Sequence, residues 1–460
     1  MSGDERSTAT RVADPGLRKL YQQENRWQAW MDVEAALARA QAELGMIPKE
    51  AAAVITQKAK ISLMDRARID EGFKRTGHTI VPLVWELSRI VGEPHGGWVH
   101  WGATTQNITQ TGDLIVLRQA HAIFLRLIGE TLAAMADLAE KSADMPMAAR
   151  THGQHAVPAT FGFKVAGWID ELLRHVERFQ QAAPRLFVAM LGGAAGTFAS
   201  LGADGPKVQA AMGRQLGMEP MRVPSRAIND HCAENVVLLG MLAATCTRIA
   251  REIYTLMKTE FGEVEEPVPP GTVGSSTMPQ KRNPKLCQDI VGAAAEIRSC
   301  VPLALESMQI DHEADRTATL MIDSAEGRAC INTGDMLSRM VEVMRGLQLN
   351  PQRMRANLDL GGGLIMAEAV MLDLGQALGR QHAHDVIYDA AQAAFIEGKS
   401  FGALLSSDKR VTEHMKPADI QKLLDPVAYT GHCAAMAHEG AARAREAAGK
   451  LASREPGESA

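Results

Sequence analysis

The sequence predicts an all-α protein whose centre is a bundle of unusually long helices. Aromatic residues make up only 4% of its 460 residues, whereas Ala, Leu and 24 Met are plentiful, and this composition favours helix over sheet. Apolar residues recur at helical spacing over segments of roughly 20–28 residues, longer than the helices of most globular domains. Helices of that length are rods of about 30–40 Å, the dimension of a helix bundle.

The first 112 residues are predicted to form an N-terminal helical domain. The chain before about Pro15 is polar and expected to be disordered. An apolar stripe predicts one helix over about residues 17–44, which Gly45 and Pro48 end. A shorter helix is predicted over about residues 81–91.

The central domain, residues 113–350, carries the longest helical patterns. They cover about residues 114–143, 161–181, 233–260 and 285–309, and Pro302 can bend the last one. Their apolar faces are wide enough to bury against other subunits, which predicts an oligomer. Residues 351–460 have shorter helical patterns and are predicted to form a C-terminal helical domain.

Charge and composition exclude several classes of protein. With 49 Lys+Arg against 54 Asp+Glu, the net charge of −5 argues against nucleic acid as the main partner. No apolar run approaches the ~20 residues that a membrane span needs, and the N-terminus has no signal-peptide pattern. The six cysteines are scattered and form no CxxC, so they are predicted to be reduced, buried thiols of a cytoplasmic protein.

The most informative segment of the sequence is GSSTMPQKRNP, residues 274–284. Prolines and glycines in and before it prevent a regular helix or strand. The segment offers Ser275, Ser276, Lys281 and Asn283, which together can bring a hydroxyl and hydrogen-bond donors for negative charge to a substrate. The alternative interpretation is a polar surface loop.

This segment resembles the GSSxMPxKxNP signature of the fumarase/aspartase superfamily, and every fixed position of that pattern is present. Residues 99–113 resemble the first conserved region of the superfamily, and residues 149–160 resemble the second conserved region of adenylosuccinate lyases. The N- and C-terminal parts are similar to adenylosuccinate lyases and 3-carboxy-cis,cis-muconate cycloisomerases. The resemblance implies a three-domain fumarase/aspartase-like fold that assembles as a homotetramer around a twenty-helix core, with active sites shared between subunits.

The resemblance also implies roles for individual residues. Ser275 would be the general base, unless Ser276 takes that role, and His152 would be the general acid that protonates a leaving amine. No cofactor and no metal is needed. The implied substrate-binding residues are His78, His100, Thr104, Thr105, Asn107, Thr151, Gln154, Ser276, Met278, Lys281 and Asn283.

Several of these residues have a second interpretation. The threonines can form a Ser/Thr-rich helix N-cap, which is compatible with anion binding, and His78 can cap a helix. Asn107 and Gln110 stand where related enzymes commonly carry acidic residues, so the site loses negative charge. A metal site at His152 and His155 is disfavoured, because Pro158 interrupts the segment and no carboxylate is near in sequence.

The substrate is predicted from the absence of two phosphate-binding segments. Adenylosuccinate lyases hold a nucleotide phosphate with arginine-rich segments, whereas residues 228–234 here lack the arginines and residues 320–322 are apolar. The sequence therefore predicts C–N elimination from a smaller, succinate-type dicarboxylate, with release of fumarate or an analogue. The alternatives are a 3-carboxy-cis,cis-muconate cycloisomerase, an adenylosuccinate lyase, and a non-catalytic protein on the same scaffold, as in lens crystallins.

Overall fold

The computed structural model describes residues 6–269, 271, 275 and 277–453, and most of these are helical. The helices are α1 Leu17–Leu20, α2 Gln23–Glu43, α3 Lys49–Lys58, α4 Arg66–Thr76, α5 Val81–Val91, α6 Thr105–Lys141, α7 Phe161–Leu186, α8 Gly205–Leu216, α9 Asp230–Leu256, α10 Lys285–Glu306, α11 Arg316–Gly346, α12 Pro351–Leu358, α13 Ala367–Leu378, α14 Arg380–Glu397, α15 Phe401–Ser407, α16 Lys409–Thr412, α17 Pro417–Leu423 and α18 Cys433–Ala452.

Short strands form three two-stranded sheets in the described part of the chain. The strands are β1 Pro146–Thr151, β2 Gln154–Thr160, β3 Val188–Ala189, β4 Glu219–Pro220, β5 Val264–Glu265 and β6 Gln348–Leu349. β1 is antiparallel to β2, β3 is parallel to β4, and β5 is antiparallel to β6. The composition had favoured helix alone, so the β1–β2 hairpin is a departure from the prediction.

Helices α6, α7, α9, α10 and α11 form the central bundle around one large apolar core. The last helix, α18, returns to pack against α6 and α7, and Ala441, Ala444 and Leu451 join that core. A separate, smaller apolar cluster lies within residues 370–420. The predicted long central helices are confirmed, and the described chain is mainly helical.

The observed helices differ from the predicted ones at a few of their ends. The predicted helix over residues 17–44 is interrupted between α1 and α2, at Tyr21 and Gln22. The helix predicted from residue 114 begins at Thr105, because Thr104 and Asn107 form a capping box. The helix predicted over residues 81–91 is confirmed.

Residues 6–14 of the polar N-terminal segment make tertiary contacts, so the predicted disorder is wrong for these residues. Thr8 is 3% exposed, and its backbone N–H and hydroxyl donate to Asp289 at 3.0 and 2.7 Å. The hydroxyl also accepts from Arg339, at 2.7 Å. These contacts join the segment to α10 and α11, some 280 to 330 residues away in sequence, and helical periodicity could not reveal them.

The long helices carry the chain between two ends of the bundle. At one end, which we call the threonine end, α6, α9 and α11 begin: Gln110 on α6 lies 3.2 Å from His231 on α9. At the other end, which we call the loop end, α6 and α9 finish and α10 begins. The β1–β2 hairpin also lies there, because the N–H of Gly162, just after the hairpin, donates to the carbonyl oxygen of Ser142 at the end of α6. With 37 residues, α6 separates the two ends by about 55 Å.

All six cysteines are buried and free, as predicted for reduced thiols. Within residues 6–453, as far as the structure describes them, no helix combines the length and the apolar character that crossing a membrane would require.

His121 in the core is expected to make stability pH-dependent. Its ring is 3% exposed, hydrogen-bonds Asn235 at 2.8 Å and is surrounded by three phenylalanines, and burial lowers its pKa to about 4. The unfolded chain binds this proton below about pH 6.5 and the native chain only below about pH 4, so stability is lost as the pH falls through that window. Its contribution is about 2–3 kcal/mol between pH 7 and 4.5.

The measurement is urea unfolding at pH 7 and at pH 4.5. His121→Gln, whose amide can still bond Asn235 but does not titrate, should reduce the loss of stability between the two pH values, and His382→Gln, at an exposed position, should not. The same pH dependence in wild type and His121→Gln would contradict the assignment.

Candidate active site

At the threonine end, Thr104 and Thr105 are half-buried at the start of α6. Asn107 is 0% exposed, and its Oδ1 accepts the backbone N–H groups of Thr104 at 3.0 Å and Gly193 at 3.1 Å. These contacts confirm the N-cap interpretation of the segment. The Asn107 Nδ2 has no hydrogen-bond partner among the described residues, and the contact of Asn107 with a substrate stays a prediction.

His100 lies beside these threonines and is held by a buried acid. Its Nδ1 is 2.5 Å from Oε1 of Glu34, whose side chain is 1% exposed. Burial opposes a charged ring, but the Glu34 carboxylate outweighs it and raises the pKa of His100 above its usual value. The residue has φ of 62°, a left-handed conformation that few non-glycine residues adopt.

A cleft between the N-terminal helices and α11 contains His78. Its Nδ1 faces the backbone N–H groups of Ile80 and Val81, both at 3.4 Å, at the start of α5, which supports the capping interpretation. The same cleft is lined by Arg316, whose guanidinium donates to Thr79 Oγ1 at 2.8 Å. Arg316 was not among the predicted site residues, and the helix that it begins, α11, was not predicted from the sequence either.

His152 occupies the tip of the β1–β2 hairpin. Thr151 pairs with Gln154, and the two residues between them, His152 and Gly153, have φ of 53° and 78°. Positive φ at both central positions is typical of a type I′ turn, which glycine favours. Thr151, His152 and Gln154 are all exposed, so the three predicted residues project together from the loop end.

A buried ion pair anchors that hairpin. Arg150 on β1 donates to both carboxylate oxygens of Glu263, at 2.6 and 3.1 Å, and Glu263 is 0% exposed. Asn357 also donates to Glu263, at 2.7 Å, and the Arg150 guanidinium lies over the Phe261 ring. Burial, and then the Arg150 charge, lowers the pKa of the neighbouring His155.

Replacing Arg150 by Met is expected to destabilise the protein by about 3–5 kcal/mol, because it leaves the Glu263 carboxylate buried without its countercharge. Lys164→Met is the matched control: it breaks the Lys164–Glu252 pair, which is partly solvated, and should cost about 1 kcal/mol or less. Denaturant unfolding of both variants measures the difference. Equal midpoints would show that the buried pair does not anchor the hairpin.

In the signature segment, the Ser275 hydroxyl oxygen accepts two backbone hydrogen bonds. Thr277 N–H donates at 3.4 Å and Met278 N–H at 3.2 Å, and the chain turns again where Lys281 N–H donates to Met278 O at 3.0 Å. Met278 and Lys281 are exposed, and Asn283 is half-buried. Ser276, predicted to bind substrate, lies outside the described residues.

Both ends of this loop are fastened to the bundle. Glu266 is 2% exposed and accepts the N–H groups of Leu286 at 3.0 Å and Cys287 at 3.1 Å, at the start of α10. Arg11 donates to Pro267 O at 2.7 Å. The two ends of the loop are therefore fixed, and Ser275 lies half-buried between them.

A single chain does not bring all the predicted residues together. Ser275 and His152 belong to segments at the loop end, whereas Thr104 and Thr105 lie at the other end of α6, a helix about 55 Å long. In the described part of the chain, no hydrogen bond joins Ser275 to His152. Among the described residues, no three His, Cys, Asp or Glu side chains are grouped as a metal site.

Two protein families match the chain. The family described as Lyase matches residues 9–299, and the family described as Adenylosuccinate lyase C-terminus matches residues 363–439. Together with the long-helix bundle and the loop, these matches define an enzyme of the lyase class. The chain belongs to the fumarase/aspartase superfamily, in the branch of adenylosuccinate lyases and 3-carboxy-cis,cis-muconate cycloisomerases.

Named relatives align over nearly the whole chain. It is 35% identical over 417 residues to N-acetyl-S-(2-succino)cysteine lyase of Dickeya dadantii, covering 91% of this chain and 92% of that one. It is 37% identical over 423 residues to adenylosuccinate lyase of Pyrococcus abyssi, covering 92% and 94%. The structure of 3-carboxy-cis,cis-muconate lactonizing enzyme from Pseudomonas putida superposes with a TM-score of 0.87 at 32% identity, covering 98% and 100%. The protein is therefore an elimination lyase.

Proposed function

We propose that the protein catalyses β-elimination from a succinate-type dicarboxylate, breaking a C–N bond and releasing fumarate or an analogue. The observation that carries the proposal is the pair of backbone N–H groups directed at the Ser275 hydroxyl oxygen, at 3.4 and 3.2 Å. A serine is a weak base unless its alkoxide is stabilised, and hydrogen bonds to the charged form supply that stabilisation. Lys281, six residues further along the same loop, adds a positive charge.

The proton that Ser275 removes lies on the carbon next to a carboxylate and is a very weak acid. Its removal places a second negative charge on that carboxylate, so donors must surround the carboxylate oxygens. Thr104, Thr105, Lys281 and Asn283 have the required chemistry, and a well-placed donor of this kind contributes about 3–4 kcal/mol. Ser276 and Met278 on the loop, Thr151 and Gln154 on the hairpin, and His78 and His100 complete the proposed pocket.

His152 is proposed to protonate the nitrogen as the C–N bond breaks. An imidazole titrates near neutral pH and can donate a proton to an amine that would otherwise leave as an anion. His152 is exposed at the hairpin tip, which suits a residue that acts in a pocket completed by another chain. The proposed steps use side chains and backbone only.

The assembly proposed for this chemistry is a homotetramer with shared sites, acting in the cytoplasm. A substrate of a few ångströms cannot bridge the length of α6 between the threonine end and the loop end. A second chain packed antiparallel would place its threonine end beside the first chain's hairpin and loop. Closed point-group symmetry then repeats the arrangement at every site.

The direct test incubates the purified protein with N-substituted aspartates and, in the reverse direction, with fumarate plus amines. The expected results are fumarate release in the first direction and formation of N-substituted aspartates in the second. Ultraviolet absorbance detects the fumarate, and mass spectrometry detects the aspartates. No reaction with any member of either series would contradict the proposal.

A thiol is the second candidate for the leaving group. The identity of 35% with N-acetyl-S-(2-succino)cysteine lyase favours it. An S-substituted 2-succinate in the same assay distinguishes C–S from C–N cleavage. The remaining alternative is a cycloisomerase, and the 32% identity with the lactonizing enzyme is the reason to test it. Loss of muconate absorbance would identify that activity.

A further inference from the structure

The chain enters the loop that carries Ser275 through Pro267, a half-buried residue eight positions before that serine. Pro267 comes two residues after strand β5, which pairs with β6 just beyond the end of α11. The start of the loop therefore lies against a part of the chain that is distant in sequence. The residues that hold Pro267 there have been given no part in the reaction so far.

Gly346, the last residue of α11, leaves room for the Pro267 ring. A Cβ atom on Gly346 would lie 2.4 Å from Pro267 Cβ and 2.7 Å from Pro267 Cγ, far inside the separation of about 3.5–4.0 Å at which carbon atoms pack. The φ of Gly346 lies outside the left-handed region, so the backbone conformation does not require glycine at this position. The close approach of the proline ring is what excludes a larger side chain.

Arg11 holds the backbone of the same proline. Its guanidinium donates to the Pro267 carbonyl oxygen at 2.7 Å, across 256 residues of sequence. Proline has no N–H, so this carbonyl is the backbone group at Pro267 that a hydrogen bond can hold. Arg11 belongs to the N-terminal segment, which Thr8 in turn joins to Asp289 on α10. We call Gly346 and Arg11 together the Pro267 seat.

The chain that leaves the Pro267 seat has little freedom to absorb a displacement. Proline occupies positions 267, 269 and 270 of the sequence, and the proline ring fixes φ. The preceding residue, Glu266, accepts the N–H groups of Leu286 and Cys287, so the start of the loop is also joined to the first turn of α10. A shift of Pro267 is therefore passed on toward Ser275.

The Pro267 seat also adjoins two of the proposed substrate-binding residues. Arg11 lines a cavity of about 230 Å³, and Lys281 and Asn283 lie on the wall of the same cavity. The N-terminal segment thus contacts the loop near residues that are proposed to act on the substrate. This contact gives a segment outside the family motifs a means to influence the reaction.

We propose that Arg11 and Gly346 are positioning residues of the elimination, because they seat Pro267 and thereby set where the Ser275 hydroxyl lies. The inference rests on the proposed role of Ser275 as the base. A base must lie within hydrogen-bond reach of the proton that it removes, and a misplacement of about 1 Å can lower a rate about 100-fold. Arg11 and Gly346 act through the loop and not on the substrate.

The test measures kcat and KM for fumarate release by Gly346→Ala and Arg11→Met. Each variant should lower kcat about 10- to 100-fold and change KM much less, since Thr104 and Thr105 at the threonine end are intact. Arg11→Lys retains a charged donor for the Pro267 carbonyl and should recover most of the kcat that Arg11→Met loses. A purely structural role would lower stability without this division between kcat and KM.

Two matched variants control for general loosening of the fold. Arg6→Met alters the same N-terminal segment, but Arg6 pairs with Asp335 at 3.2 Å and has no contact with the loop among the described residues, so the variant should lose stability and keep its kcat. Gly449→Ala adds a Cβ atom to another helix, α18, where no atom lies within 4 Å. It should leave kcat unchanged.

Hydrogen exchange followed by mass spectrometry reports on the loop without turnover. Peptides from residues 267–285 should exchange faster in Gly346→Ala and Arg11→Met than in the wild-type protein, and peptides from α6 should not. Unchanged exchange of the loop would contradict the proposed seat. If Gly346→Ala fails to fold, the comparison of Arg11→Met with Arg11→Lys decides.

The outcomes separate this inference from the proposed function. Fumarate release by the wild-type protein together with normal kcat in either folded seat variant would overturn the positioning role and leave the elimination intact. A kcat in Arg6→Met as low as that in Arg11→Met would also overturn it, because loosening of the whole N-terminal segment would then explain both. No fumarate from the wild-type protein with any substrate would overturn the elimination and the positioning role with it.

Discussion

Replacing Ser275 by Ala is expected to lower kcat by about 10²- to 10⁴-fold, the usual contribution of a positioned base. The backbone N–H groups of Thr277 and Met278 remain, but they no longer have an oxygen to stabilise. Because the hydroxyl makes no described contact outside its own turn, thermal stability should be unchanged. Fumarate release under saturating substrate measures kcat, and substrate affinity should persist because the donors to the carboxylates are intact.

Two variants of the same loop control this result. Thr277→Ala changes a side chain with no proposed role and should keep near-normal kcat. Ser276→Ala removes a proposed substrate contact and should raise KM more than it lowers kcat. If Ser276→Ala abolishes turnover while Ser275→Ala remains active, the base is Ser276 and the proposed role of the Ser275 turn is wrong.

Replacing His152 by Gln is expected to slow release of a poor leaving group far more than that of a good one. With an N-alkyl aspartate, kcat should fall by about 10²-fold or more, since the amine must be protonated as it leaves. With an N-(nitrophenyl)aspartate, whose amine leaves more readily, the fall should be much smaller. Single-turnover rates for both substrates isolate this difference from product release.

His155→Gln is the matched control, because His155 lies on the same hairpin and is half-buried behind the tip. It should affect both substrates equally and weakly. His152→Asn provides a check on backbone strain, because Asn adopts positive φ more readily than most residues and His152 has φ of 53°. Equal slowing of both substrates by His152→Gln would argue against its role as the acid.

The helices were predictable wherever apolar residues recur without interruption. Residues 81–91 and the body of α6 follow that rule. The first turns of α6 were not predicted, because the polar residues Gln106, Gln110 and Thr111 interrupt the apolar pattern there. These turns are buried by segments that are distant in sequence. The hairpin was missed because its turn depends on the positive φ of His152 and Gly153.

The candidate site was predictable as a set of motifs but not as a geometry. The loop, the threonine segment and the His152 segment could each be found, because their residue types are unusual together. The Arg150–Glu263 and Arg316–Thr79 contacts join positions 113 and 237 residues apart, and no local pattern encodes such pairs. The capping role of Asn107 likewise depends on Gly193, 86 residues later.

The most direct test of the account is whether two inactive variants restore each other. Thr105→Val disables the threonine end and Ser275→Ala the loop end, and the two chains are co-expressed with different tags and purified as mixed oligomers. If each site combines these ends from different chains, about one quarter of the sites in randomly mixed tetramers contain neither defect, and a corresponding share of wild-type activity returns. Activity no higher than that of the two single variants would show that the ends do not meet across chains.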